Sequence, residues 1–201
     1  MSDAPTPPDL VALVGSRMGH DLANPVGAIA NGVELLGLTG LGDSPEVALI
    51  AESVANARRR IKTFRIAFGA AGAGQAVSAA EIAEIVAPST DRRQVTVDWT
   101  PEGDIARADA KAALLALMCV ESATPWGGRA RVRRGADGWR IDAESDRLRL
   151  DPALWAMLNG APAPTDLAPA AVHFALLAEA ARQSGRRLGA ETSETAIAIL
   201  F

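Results

Sequence analysis

The chain has 201 residues, 49% hydrophobic and only 4% aromatic, with no tyrosine. That is enough for one large domain or two small ones, with cores built mainly from Ala, Leu, Val and Ile. A formal charge of −4, from 20 basic and 24 acidic side chains, excludes a general attraction to nucleic acid or anionic membranes. The single cysteine, Cys119, excludes an internal disulfide, and its apolar neighbours from Leu114 to Val120 make it a small core residue. The chain has neither a basic start followed by an apolar stretch nor a run of about 18 apolar residues. The expected location is therefore the cytoplasm, with no membrane span.

Residues 1–8 form a polar, proline-rich leader. From Val11 onward the apolar residues fall at Val11, Val14, Met18, Leu22, Val26, Ile29, Val33 and Leu36, the spacing of one helical face. Successive steps of four around His20 depart from a strict heptad and predict a local change in supercoil. A turn over Gly37–Gly42 follows. Asp43-Ser44-Pro45-Glu46 then opens a second helix, with proline suited to the first turn. Its stripe, Val47, Ile50, Val54, Ala57, Ile61, Phe64 and Phe68, keeps heptad spacing. One hairpin cannot cover two long apolar stripes. Pairing with a second copy in a four-helix bundle is the simplest closed solution, so a homodimer is expected.

The small residues 69–75 mark a boundary between a hairpin domain over 1–70 and a second domain over 76–201. In the second, Ser78 and Glu81 form a capping box for a short helix ending before Pro88. Val95–Trp99 alternates as a strand, and Asp109 starts a helix running to about Ala123. Residues 129–134 and 139–143 form a hairpin around Asp137-Gly138. Asp151-Pro152 opens a helix ending at Gly160, and residues 168–184 form another ending at Gly185. Residues 186–191 and 195–201 close the chain as strands. The whole is α+β, a helical hairpin followed by an α/β sandwich with helices on one face of the sheet. Trp126, Trp139 and Trp155 are expected to pack this second domain, and His173 to be a packing or partly exposed histidine.

The chemistry concentrates at His20-Asp21-Leu22-Ala23-Asn24-Pro25. At about 100° per residue, His20 points well away from both Met18 and Leu22, and Asn24, Gly27, Asn31 and Glu34 share its face. That face is polar and small, with no bulky group to obstruct a docking protein. A neutral imidazole is a good nucleophile, and the N–P bond it forms is labile enough to hand the group on. Asp21 is placed to orient the ring or accept its proton, and Asn24 to bond a phosphoryl oxygen or a water. Pro25 has no amide proton for the carbonyl of Asp21, which predicts a kink one turn past the histidine. Taken alone, these features more often describe nothing beyond a solvated helix face. Arg58-Arg59-Arg60 on the second helix is open to two readings, a solvated face or a complement to an acidic partner.

The segment His-Asp-x-x-Asn-Pro resembles the phosphoacceptor box of histidine kinases, and it lies in the first helix of a hairpin as it does there. The rest of a kinase is missing from the pattern. The helix from Asp109 to Ala123 contains no Asn to hold Mg²⁺, no Asp-x-Gly-x-Gly occurs, and the glycines of 69–74 follow a helix rather than a strand. The combination is similar to the ChpT-type histidine phosphotransferases of alphaproteobacteria. Arg17 to Leu22, Asn24 to Ile29 and Asn31 to Leu36 carry the close match. Lys111 to Gly128 and Val172 to Gly189 match loosely.

The resemblance implies a kinase-like dimerisation hairpin followed by a degenerate ATPase-type domain that binds no ATP. It implies a phosphorelay intermediate, in which a phosphoryl group from an aspartate of a receiver domain passes to His20 and then to a second receiver. Mg²⁺ is expected on the partner receiver, with no cofactor of the chain's own. His20 is then the nucleophile, Asp21 the orienting or basic group and Asn24 a polar helper. Arg17, Gly27, Asn31 and Glu34 are assigned to contact with the partner. The competing readings are a scaffold that binds receivers without transfer, and a diverged histidine kinase.

Overall fold

The structure, a computed structural model, describes residues 10–38, 44–88, 94–136 and 138–201. It divides into two compact units, Met1–Ala71 and Gly72–Phe201.

The first unit is a helical hairpin of α1 (Leu10–Leu36) and α2 (Pro45–Ala67). Helix α1 runs unbroken through Pro25. Most of the expected turn at 37–42 lies outside the described residues. Ser44 caps α2, its side chain accepting from the amide of Val47 at 3.2 Å, and Pro45 occupies the first turn. The two helices pack closely because α1 presents glycine where α2 crosses it. A Cβ built on Gly15 would stand 2.8 Å from the carbonyl oxygen of Phe68, and one on Gly19 would stand 3.1 Å from Cβ of Arg65. Ser16 Oγ accepts from the amide of Ala70 at 3.3 Å, tying the end of the hairpin to its start. The apolar stripe of α1 faces elsewhere. Val11, Val14, Met18, Leu22 and Ile29 are exposed, as are Leu49 and Ile50 of α2.

The second unit contains a five-stranded sheet in the order β2 (Val95–Trp99), β4 (Gly128–Gly135), β5 (Gly138–Glu144), β7 (Ala196–Leu200), β6 (Gly189–Thr192). Only the β2–β4 pair is parallel. A two-stranded ribbon, β1 (Ala76–Val77) with β3 (Ile105–Ala106), was not legible in the sequence because each strand is only two residues long. Register separates the faces of the main sheet. Trp99, Val132, Ile141 and Ile199 stand side by side on one face, while Asp98, Arg131 and Asp142 align on the other. Arg131 Nε lies 2.8 Å from Asp98 Oδ2, and Asp142 takes bonds from both Arg133 and Arg140. Partial burial works to raise the Asp142 carboxyl, but those two guanidinium groups outweigh it and hold it below the usual range.

Helices α3 (Ala79–Ile85), α4 (Arg107–Ala123), α5 (Pro152–Leu158) and α6 (Val172–Gln183) complete this unit. Ser78 and Asp151 cap α3 and α5, as their sequence positions indicate. The start of α4 differs from expectation. The helix begins at Arg107, and Asp109 lies inside its first turn, buried and paired with Arg186 Nη1 at 2.8 Å. A buried carboxylate needs such a partner, and the partner is remote in sequence. Helix α4 is buried on nearly every side, Cys119 included, and burial pushes that thiol well up. Trp139 and Trp155 are core residues, the latter edge-on to Phe174 with centroids 5.5 Å apart. Trp126 is not a packing residue. It is 49% exposed, in the turn after α4, with the Arg147 guanidinium 4.4 Å from its ring centroid. Gly138 opens β5 at φ +112, and a Cβ there would meet the Phe201 carbonyl at 2.5 Å, so this position requires glycine; Asp137, its partner in the expected turn, lies outside the described residues.

His173 is buried at the start of α6. Its Nε2 lies 2.8 Å from Ser122 Oγ, which itself donates to the Met118 carbonyl, so Nε2 carries the ring proton and donates it. Burial lowers the imidazole's proton affinity relative to the unfolded chain. Below about pH 6.5 the unfolded state then binds more protons than the folded state, and stability falls as the pH drops toward the folded value. Urea midpoints measured at about pH 7.5 and about pH 5.5 should therefore fall more for the native chain than for His173→Gln. Parallel falls would show that His173 does not contribute.

The glycine contacts give a contrasting pair. Gly15→Ala drives a Cβ into backbone and should destabilise the hairpin by roughly 1–3 kcal/mol. Gly19→Ala is milder, since its Cβ meets Arg65 Cβ at 3.1 Å and Cα at 3.4 Å and the substitution gains helix propensity, so its net effect should stay within about 1 kcal/mol. Amide hydrogen exchange across α1 and α2 measures both, and equal losses of protection would contradict the packing described.

Candidate functional site

The segment around His20 is helical because its apolar residues keep helical spacing on either side and its one proline sits where α1 is otherwise continuous. Gly19 is buried against α2, yet the next residue is turned outward. The His20 side chain is 72% exposed. The helix thus holds the His20 imidazole at the surface on a backbone fixed by packing.

Three side chains form a chain of contacts on this surface. His20 Nδ1 lies 3.3 Å from Asp21 Oδ1, and the other carboxylate oxygen, Oδ2, accepts from Arg17 Nε at 2.7 Å. The His20 ring and the Arg17 guanidinium, in that order, hold the Asp21 carboxyl below the usual carboxylate range. When Nδ1 donates to Asp21, the free lone pair of the ring is on Nε2, the nitrogen farther from the backbone. The arrangement is that of an exposed imidazole with one ring nitrogen facing an anion.

Asn24, Asn31 and Glu34 are exposed on the same face of α1. Gly27 has open space where a Cβ would project. The face expected for partner contact is thus present and unobstructed within its unit. Arg17 belongs to the cluster at His20 itself. Of the arginine run on α2, Arg59 donates to Asn56 and Arg60 lies 5.8 Å over the Phe64 ring. Two of the three therefore make contacts within their own helix.

Sequence reading missed two features. The Arg17–Asp21 pair had an available signal, opposite charges four residues apart on a helix. The half-buried Gly15 and buried Gly19, also four apart, had one too, since two small residues at that spacing let helices approach closely. In the second unit, a cleft of about 550 Å³ is lined by residues including Ser122, Arg149, Asp151, Trp155, His173 and Phe174. Among the described residues no group of three or more His, Cys, Asp or Glu is placed to hold a metal ion. No helix among them is long and apolar enough to cross a membrane.

Comparison with known proteins agrees with this architecture. The family of the histidine phosphotransferase C-terminal domain matches residues 79–196, most of the second unit. Protein phosphotransferase ChpT of Brucella abortus (strain 2308) is 38% identical over 161 residues, covering 76% of each chain. Among solved structures, a bacterial phosphotransferase superposes with a TM-score of 0.64 at 24% identity, covering 97% of each chain. The shared fold is the expected mixture, a helical pair followed by a sheet domain with helices. By sequence identity and by its matched domain, the chain belongs to the histidine phosphotransferase family.

Proposed function

We propose that the chain relays phosphoryl groups between receiver domains through a phosphohistidine at His20. The observation that carries the reading is the 72% exposed His20 ring, with Nδ1 facing a carboxylate and an unobstructed polar face around it. Nε2 attacks the phosphorus of a receiver's aspartyl phosphate. The P–O bond breaks, its electron pair leaves with the aspartate oxygen, and the N–P bond forms. Reversal of these steps with a second receiver passes the group on. Most of what phosphoryl transfer requires of a protein is positioning and charge stabilisation, which a fixed helix face and Asp21 supply.

Asp21 orients the ring and balances the charge it acquires. Asn24, one turn on, bonds a phosphoryl oxygen or a water. Gly27, Asn31 and Glu34 contact the receiver, where Gly27 leaves room for close approach. The receiver brings the Mg²⁺, and the chain needs no ATP or cofactor of its own. It works in the cytoplasm as a homodimer. Support for the dimer is the row of exposed Val11, Val14, Met18, Leu22 and Ile29 on α1, with Leu49 and Ile50 on α2. Each such side chain gains about 1.5–3 kcal/mol on full burial, and a second hairpin offers the same apolar surface in return.

Two measurements test this. Label from a phosphorylated receiver should move to the native chain and not to His20→Ala, and Asp21→Asn should slow it by about tenfold or more. Label on His20→Ala would remove the assignment, and no transfer with several receivers would leave a scaffold, or a kinase if ATP binds tightly. Light scattering at micromolar concentration should give twice the chain mass. A monomeric mass would sink the bundle.

A further inference from the structure

Arg17 makes the shortest contact of the cluster at His20, and helix stability does not account for it. The pair with Asp21 is exposed on both sides, with side chains 77% and 48% accessible, and exposed pairs contribute little. Its order is also the less favourable one. An acid N-terminal to a base suits the helix dipole, whereas here the base comes first. The pair does, however, determine where one carboxylate points.

We propose that Arg17 is a positioning residue for phosphoryl transfer. It anchors one oxygen of Asp21 so that the other faces His20 Nδ1, which keeps the ring proton on Nδ1 and the lone pair on Nε2. The inference rests on the reading of His20 as the phosphoacceptor. The distances set the order of action. The 2.7 Å bond from Arg17 Nε to Oδ2 is the strong, charge-assisted one. The 3.3 Å approach of Oδ1 to Nδ1 lies at the edge of hydrogen bonding. A contact so long, between neighbours on an exposed helix, persists only if something else holds the carboxylate.

The chemistry asks for an anion and not for a base. When Nε2 bonds to phosphorus and the receiver's aspartate leaves with its electron pair, no proton need move. Nδ1 keeps its hydrogen, and the ring takes on positive charge beside Asp21. An Asp21 that took up a proton would lose that balance. Arg17 opposes this by favouring the ionised carboxylate, and it fixes the geometry in both the free and the phosphorylated ring.

The test uses the full chain with Arg17→Ala, Arg17→Lys, Asp21→Asn and the Ala/Asn double variant. Long-range proton–nitrogen NMR of the unphosphorylated protein reads the His20 tautomer. Single-turnover transfer from a receiver domain charged with labelled acetyl phosphate reads the rate. Arg17→Ala should shift the ring toward the Nε2–H form, with Arg17→Lys restoring part of the native signal. It should slow transfer by about 3- to 10-fold in the native background but by less than about twofold when Asp21 is already Asn. Equal slowing in both backgrounds with an unchanged tautomer would overturn the proposal, because Arg17 would then act directly on the phosphoryl group or the receiver. No change in either readout would overturn it too. If label never reaches the native chain, the phosphoacceptor reading fails whatever the ring shows. If label arrives and the tautomer is indifferent to Arg17, this inference alone falls.

Discussion

The close approach of α1 to α2 at Gly15 and Gly19 is the contact on which the site depends. At Gly15 a methyl group would run into the carbonyl of Phe68. Packing at native density leaves no room for larger residues, so the hairpin is held where the two glycines allow backbone and side chain to meet. The residue after Gly19 cannot share that contact, and the helical turn carries His20 to the surface. Fixation and exposure, which normally compete, are divided between adjacent residues.

The division has a second consequence. Glycine and alanine serve the contact within the hairpin, Gly19 and Ala30 being buried, while Val11, Val14, Met18, Leu22 and Ile29 of α1 stay exposed. Contiguous exposed apolar surface of this kind marks an interaction site in most proteins. The proposed bundle of two hairpins would cover this surface and leave His20 outside, because the ring lies across the helix from Met18 and Leu22.

The second unit is organised by a different constraint. Helix α4 is buried on nearly every side, and its one buried carboxylate, Asp109, is matched by Arg186 from beyond α6. The sheet's inner row is apolar and its outer row is an alternation of Asp and Arg. Such a domain gains stability from one continuous core, and the charged outer face keeps its uncovered side soluble. The match to the histidine phosphotransferase C-terminal domain lies within this unit, whereas the residues assigned to the chemistry lie in the other.

Much was legible from residue order alone, because the information is local. Spacing of apolar residues set α1 and α2, the Ser44, Ser78 and Asp151 caps marked helix starts, and the Asp137-Gly138 pair marked the main hairpin. The sequence also singled out His20 and placed it opposite the apolar stripe, since helical periodicity needs only neighbours. What it could not supply depends on residues far apart in the chain. Asp109 read as a helix start because its partner Arg186 is remote. Trp126 read as core because size alone suggests burial, whereas its place in a turn exposes it. The strands of the two-residue ribbon have no pattern of their own and exist through pairing. The Arg17–Asp21 pair is local and its i,i+4 spacing was open to reading; only the 2.7 and 3.3 Å distances that let one carboxylate bridge Arg17 and His20 needed the folded helix. Local order determined the helices and singled out His20 as the candidate for the chemistry; tertiary structure decided which distant groups meet, because burial and ion pairing act between parts of the chain that the sequence keeps apart.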